Sequence, residues 1–468
     1  MFTPGQLATW SRGRWTALPA APITGFSNDT RTLRPNQLFV ALKTDRRDGH
    51  EYLAAAQAAG AAGAIVSRAH AALPLPQLVV EDPLAALQAI AGEHRHAFPG
   101  PVLGISGSVG KTSTKDLVAL LLGGAPTVLA TEGNLNNHIG VPLTLTRLDP
   151  VRHRYAVIEA GISAPGEMKR LAGLIEPDLA IITLVAPAHL LELGDVEGVA
   201  REKAALPAAV RAAGVAVFPH QCAQFSVFRD LSVRTLTVEP AALLASRVRP
   251  AEPPKDKVYF AVTQRGDTTA LAIAYGPPPP LVFTMQRVSA GMAQNAVLAI
   301  CAALWLGVPP AAIQERLTAW QPVKWRGELR REDGRLLYLD FYNANPASMA
   351  DALENFASLA PAGLPRAYVL GCMEELGPRA ADYHRQLGRT VHLRPGDRLF
   401  IVGDQAAALR AGLLENGNPA PQIEVVADAT AVAAFLAGFR GAIFLKGSRR
   451  YQLEKALAAV TPLEPVTC

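Results

Sequence analysis

The sequence predicts an α/β protein of three successive units, the middle one a parallel sheet organised around a phosphate-binding loop. Three observations predict this. Gly104 to Lys115 reads Gly-Ile-Ser-Gly-Ser-Val-Gly-Lys-Thr-Ser-Thr-Lys, between the apolar run Pro101-Val102-Leu103 and a breaker-free stretch at 116–122; strand, glycine loop and helix is the context such a loop needs. Short apolar runs at 127–130, 155–159, 179–183 and 215–218 alternate with helical stretches, the pattern of parallel strands with helices on both faces. The length of 468 residues allows roughly two to four domains, each burying its own core.

In the loop, Gly107 and Gly110 let the backbone turn its N–H groups inward, and the following helix adds its positive dipole end. Lys111 would reach the β- and γ-phosphates of a nucleotide, and the Thr112 hydroxyl would take one site on Mg²⁺. Ser108 and Ser113 complete the loop's polar groups. The spacing is Gly-x-x-Gly-x-x-Gly-Lys-Thr, a variant with Ile105 where the strict form has glycine; a plain strand-to-helix turn is the competing reading.

Half the residues are apolar and 6% aromatic, as in a soluble helix-rich α/β protein. A net charge of +5 suits an anionic small molecule without requiring one, and no basic run argues for nucleic acid. Cys222, Cys301, Cys372 and Cys468 have neither metal nor disulfide spacing, which favours a reducing cytoplasm; Cys301 reads as core packing. No signal peptide is visible, and the longest apolar runs, at 179–185 and 296–308, fall short of the about 18 residues of a membrane span.

The first unit, residues 1–98, carries strands at 37–42 and 63–66 and a helix at 52–59. Asp45-Arg46-Arg47-Asp48-Gly49-His50 reads as a polar turn, and Ser27-Asn28-Asp29-Thr30-Arg31 as a solvated loop or a site. His94-Arg95-His96 reads as surface, because adjacent helical side chains diverge. In the second unit, 99–320, Glu159 and His189 stand after strands, where open α/β sheets meet their ligands. Glu159 offers Mg²⁺ a hard oxygen; His189 alone reads equally as structural. The amides of Asn134, Asn136 and Asn137 suit turns, and also suit gripping sugar hydroxyls or phosphate oxygens. Asn295 stands at the start of an apolar helix, 296–308, as a cap. The third unit, 321–468, repeats the α/β pattern with strands at 336–340, 366–370, 398–402 and 442–445. The loops after them, 371–377 and 446–450, are placed to meet a ligand. Pro277 to Pro280 reads as a local turn or short polyproline stretch.

Taken together the chain resembles the Mur ligase family over nearly its whole length. The residues that carry this are Asp29-Thr30-Arg31, Leu38-Phe39-Val40-Ala41-Leu42, Asp48-Gly49-His50, the Gly-Lys-Thr loop, Gly133-Asn134-Leu135-Asn136-Asn137 leading into Gly140-Val141-Pro142-Leu143-Thr144, Pro187-Ala188-His189, Tyr342-Asn343-Ala344-Asn345-Pro346 and Lys446-Gly447-Ser448-Arg449. The Asn-Leu-Asn-Asn and Tyr-Asn-Ala-Asn-Pro runs place it nearest the members that join D-alanyl-D-alanine to UDP-MurNAc-tripeptide.

The resemblance implies a UDP-sugar-binding first domain, an ATP-binding central domain and a Rossmann-like third domain. It implies an ATP- and Mg²⁺-dependent amide ligase of peptidoglycan precursor synthesis, working through an acyl phosphate as a cytoplasmic monomer without nucleic acid or a membrane span. It assigns Lys111 to phosphate, Thr112 and Glu159 to a first Mg²⁺, and His189 and Lys203 to a second, Lys203 as a carbamate. It assigns Asn295 to adenine, Arg326 to phosphate and Asp340 to ribose. Thr30 and Arg31 fall to the uridine site, Asn134, Asn136 and Asn137 to the UDP-sugar, and Asn343, Asn345 and Lys446 to substrate. On sequence alone Lys203 is an ordinary helix-surface lysine. Val109, Gly291-Met292, the run 160–164 and Cys372 depart from the family pattern. A ligase for a different amino acid, and a nucleotide- or UDP-sugar-binding relative without catalysis, are the alternative functions.

Overall fold

The computed structural model describes residues 2–241, 256–276, 279–458 and 460. Pro277 and Pro278 of the proline run, and Cys468, lie outside them. Three large sheets follow one another along the chain.

The first sheet has the order Arg14–Trp15, Gln77–Val79, Gly63–Val66, Gln37–Val40, Gly25–Ser27, parallel except at Arg14–Trp15. Side chains alternate across a strand, so Leu38 and Val40 pack with Leu87 and Ile90 of helix Pro83–His96, while Phe39 and Ala41 pack with Leu53 and Ala56 on the other face. The tract 45–50 is more than a polar turn. Lys43–Thr44 and Arg47–Asp48 form a small hairpin, and His50 is buried, its Nδ1 2.6 Å from Asp48 Oδ1. The backbone N–H of His50, then Arg68, holds the Asp48 carboxyl below the usual carboxylate range.

His94-Arg95-His96 is a surface tract only in part: His96 is exposed, His94 half-buried and Arg95 buried. The three side chains do diverge, but helix Pro83–His96 lies between the first sheet and helix Glu167–Ile175, so Arg95 points inward and is fully buried. Its Nε donates to Ile175 O at 2.8 Å, and its Nη2 to Glu176 O at 2.7 Å and Asp178 Oδ2 at 3.2 Å. The guanidinium thus satisfies carbonyls at a helix C-terminus. Arg95→Met is expected to lower unfolding free energy by about 3 kcal/mol, because those acceptors would be left buried; urea denaturation followed by circular dichroism measures it.

The second sheet has nine strands in the order Leu281–Gln286, Thr268–Ala274, Lys257–Arg265, Thr235–Pro240, Val215–Pro219, Leu179–Ile182, Val102–Ser106, Tyr155–Glu159, Val128–Ala130. It is parallel from Val128–Ala130 through Lys257–Arg265 and antiparallel beyond. The purely parallel expectation is therefore corrected: a hairpin at Gly266 adds two antiparallel strands to one edge, in a stretch whose outward side chains gave no buried run. Leu103, Ile105 and Val157 face Leu117, Val118, Val297 and Ile300, whereas Val102, Ala156 and Ile158 face Leu171, Ile175 and Val199. Cys301 is core, its thiol pushed up to about 12 by burial.

The third sheet runs Glu328–Glu332, Arg335–Asp340, Ala442–Lys446, Arg366–Gly371, Arg398–Val402, Ile423–Val426, antiparallel only at its first pair. Among the described residues, Cys222, Cys301 and Cys372 are unpaired, and no helix is long and apolar enough to cross a membrane.

Candidate active site

The phosphate-loop sequence sits between strand Val102–Ser106 and helix Lys111–Leu121. That helix has Gly110, at φ +79°, as its N-cap, and no side chain caps it. Its first-turn N–H groups are therefore presented together with the dipole. The glycines are fixed by neighbours as well as by conformation. A Cβ at Gly107 (φ +149°) would lie 1.8 Å from Thr183 Oγ1, and one at Gly110 would lie 2.2 Å from Asn295 Nδ2. Thr183 is fully buried and its hydroxyl donates to the Val109 carbonyl, bracing the loop from the adjacent strand end; the strand-end rule that found Glu159 would have found it too.

Lys111 folds back to donate from Nζ to Gly107 O at 3.0 Å. Desolvation holds its ammonium below the usual lysine range; Glu159 opposes the shift and Arg326 adds to it. Glu159 closes strand Tyr155–Glu159 and is 1% exposed. Its Oε1 accepts from Asn136 Nδ2 at 2.7 Å, while Oε2 is buried without a protein partner. An orphaned carboxylate oxygen inside a protein is costly unless a cation or donor joins it.

A cleft of about 560 Å³ opens here. Its walls bring together Ser108, Gly110, Lys111, Thr112 and Ser113 with Asn134, Asn136, Glu159 and Asn295 from the second unit, and with Arg326, Asp340, Asn343, Asn345 and Lys446 from the third. Arg326 lies with its guanidinium carbon 4.1 Å from the centre of the Tyr342 ring, a cation–π contact that aims the group. Lys446 is 1% exposed and donates to Asp340 Oδ2 at 2.7 Å and to Asn343 O at 3.3 Å. One Asp340 oxygen is thereby committed.

Other expected residues stand elsewhere or differently. Asn295 is not a cap: Ser289 caps helix Ala290–Trp305, accepting from Met292 N at 3.1 Å, and Asn295 is buried within the helix against Gly110. Asn137 Oδ1 accepts from the N–H groups of Ile139 and Gly140 at 3.1 and 2.9 Å, the turn chemistry expected of asparagine, and the residue does not line the cleft. Gly107, His189, Lys203, Thr30 and Arg31 are likewise outside the lining. Arg31 is largely exposed, its Nη2 2.6 Å from Asp29 Oδ2.

His189 adopts left-handed φ +54°, and its Nδ1 contacts the Glu375 carboxylate, which that contact holds below its usual range. Glu375 was missed by residue, though its loop stood out as following a strand. Lys203 is not a helix-surface lysine: on helix Val196–Ala208 it is 1% exposed. Burial, and then the charge of Lys111, press its ammonium well below the lysine range.

Comparison with known proteins agrees with this geometry. Residues 105–249 match the Mur ligase middle domain, and residues 325–449 the Mur ligase glutamate ligase domain. A UDP-N-acetylmuramoyl-tripeptide–D-alanyl-D-alanine ligase of Bacillus subtilis is 31% identical over 400 residues, spanning 84% of this chain and 83% of its own length. The Escherichia coli enzyme of the same name is 33% identical over 397 residues, with 84% of each chain covered. A crystal structure of MurF from Acinetobacter baumannii is similar at a TM-score of 0.83 and 27% identity over 98% of both chains. The MurF ligase of Thermotoga maritima in complex with ADP, at 24% identity, shares the fold at a TM-score of 0.77, with 93% of this chain and 97% of that one covered. With two family domains matched in order and relatives above 30% identical over most of both chains, the chain belongs to the Mur ligase family.

Proposed function

We propose that the protein joins D-alanyl-D-alanine to UDP-MurNAc-tripeptide at the expense of ATP, as a cytoplasmic monomer. The observation that carries this is the pairing of an uncapped helix N-terminus bearing Lys111 with the partnerless buried Oε2 of Glu159. One end suits a polyphosphate and the other a divalent cation held against it. The relatives' shared name supplies the two substrates.

An ionised carboxylate is a poor electrophile. The reaction therefore begins with a terminal carboxylate oxygen of the tripeptide attacking the γ-phosphorus of ATP, while the bridging P–O bond breaks to release ADP. The amine of D-alanyl-D-alanine then attacks the acyl carbon, the C–O bond breaks, phosphate leaves and the amine gives up a proton. Lys111 and Arg326 are placed to neutralise charge shared between two anions. Glu159 and Thr112 offer oxygens that fit Mg²⁺, which when bound screens the phosphates and polarises the γ-phosphoryl group. His189 and a carbamylated Lys203 are assigned to a second Mg²⁺; Nδ1 of His189 already faces Glu375, so Nε2 is its available nitrogen. Asn295 is assigned to the base and Asp340 to the ribose. Thr30 and Arg31 take the uridine, Asn134, Asn136 and Asn137 the sugar, and Asn343 and Lys446 the substrate side of the third unit; the Asn345 amide is committed to Ser348 N and Ser108 O. The three sheets fit a division of the chain into 1–98, 99–320 and 321–468.

Release of ADP measured with UDP-MurNAc-tripeptide and a panel of amines tests the assignment. D-alanyl-D-alanine should stimulate release more than any single amino acid. Stimulation by another amine and none by D-alanyl-D-alanine would move the protein to a different ligase of the family.

A further inference from the structure

Helix Pro346–Leu359 belongs to the third unit, yet its N-terminal end is fastened to the second. Asn345, its N-cap, puts the two ends of its side chain to different uses. Oδ1 accepts from Ser348 N at 2.9 Å, and the Ser348 hydroxyl accepts from Asn345 N at 3.1 Å, a complete capping box. Nδ2 donates to the carbonyl oxygen of Ser108 at 3.1 Å. Capping accounts for Oδ1 but not for Nδ2: aspartate or serine would cap as well, but of the three only the amide carries its donor on a second atom apart from the capping oxygen.

The rest of Ser108 is held from within the second unit. Its N–H donates to Leu184 O at 2.8 Å; its hydroxyl donates to Ala186 O at 2.8 Å and accepts from Ala186 N at 3.0 Å. The carbonyl is the group gripped from the third unit. A trans peptide is planar, with its C=O and N–H pointing opposite ways, so fixing the Ser108 carbonyl fixes the N–H of Val109 in the middle of the phosphate loop. Further along the same helix, Asp351 Oδ1 accepts from Gly291 N at 2.8 Å, on the other wall of the cleft. A Cβ at Gly291 would stand 2.8 Å from Asp351 Oδ2, so glycine leaves room for this second strut.

We propose that Asn345 is a positioning residue for phosphoryl transfer: when the third unit docks, its amide sets the Ser108–Val109 peptide, and the loop reaches its working geometry only on closure. This role presupposes the nucleotide reading of the cleft.

Asn345→Asp keeps a capping oxygen and removes the donor; Asn345→Ser keeps a capping oxygen, and its hydroxyl hydrogen sits on that same short-armed oxygen and not where Nδ2 reaches Ser108 O. Both should lower kcat about tenfold, the scale of one lost hydrogen bond, with the KM for ATP within about twofold and the melting temperature unchanged. A raised KM with unchanged kcat would make Asn345 a substrate contact and overturn the proposal. So would a loss confined to Asn345→Asp, which would reflect added negative charge, or a fall in melting temperature that accounts for the fall in rate. Lys111→Ala is assayed alongside. If it retains full turnover, the nucleotide reading fails and this role with it; if it is inactive while both Asn345 variants match the parent, only this role fails.

Discussion

Lys111→Ala is expected to reduce turnover by a factor on the order of a hundred or more, the scale of losing one preorganised charge contact in a transition state. The lysine is held by the protein's own backbone: its ammonium rests on Gly107 O at 3.0 Å, at the uncapped start of its helix. It is also poorly solvated, so its interaction with a phosphate is worth more than that of a surface lysine. The same desolvation makes the charge costly to the folded protein, and the alanine variant should melt no lower than the parent. ADP release at saturating substrates, with a melting curve, reads both. Full turnover would remove the phosphate loop from the chemistry.

Lys203→Met is expected to have a comparable effect for a different reason. An ammonium on helix Val196–Ala208 with 1% exposure, further repelled by Lys111, favours the neutral amine. On the proposed assignment the neutral amine would attack carbon dioxide, forming a C–N bond as the nitrogen loses a proton, and the side chain would become an anion with two oxygens suited to Mg²⁺. Methionine fills the same space without that chemistry. Turnover should fall on the order of a hundredfold, since metal-centred charge stabilisation contributes several kcal/mol. The parent incubated with ¹³C-bicarbonate should show a carbamate carbon signal by NMR that Lys203→Met lacks. A fully active Lys203→Met would take this residue out of the reaction.

What the sequence disclosed, and what it hid, divides along physical lines. The strands around Gly104 were legible because central parallel strands are apolar throughout, and the loop because glycine, lysine and threonine at that spacing have few other uses. The hairpin around Gly266 left no such trace, since residues 261–265 are all exposed and strand Thr268–Ala274 buries only every second residue. Lys203 and Arg95 looked exposed because a helix's polar stripe is ordinarily its outer face; here a second layer covers each helix, a matter of tertiary packing. Asn295 was misplaced because the apolar run begins after the true cap, Ser289. Asn345 shows in the sequence only as part of the Tyr-Asn-Ala-Asn-Pro run, and its bond to a residue 237 positions earlier is visible only in the fold.

The central claim is that a carboxylate of one substrate is phosphorylated in the cleft between Lys111 and Glu159 before an amine displaces phosphate. With ¹⁸O in the terminal carboxylate of UDP-MurNAc-tripeptide, ATP and D-alanyl-D-alanine, one labelled oxygen should appear in each released phosphate, because the C–O bond is the one the amine breaks. Unlabelled phosphate accompanying amide formation would contradict the account.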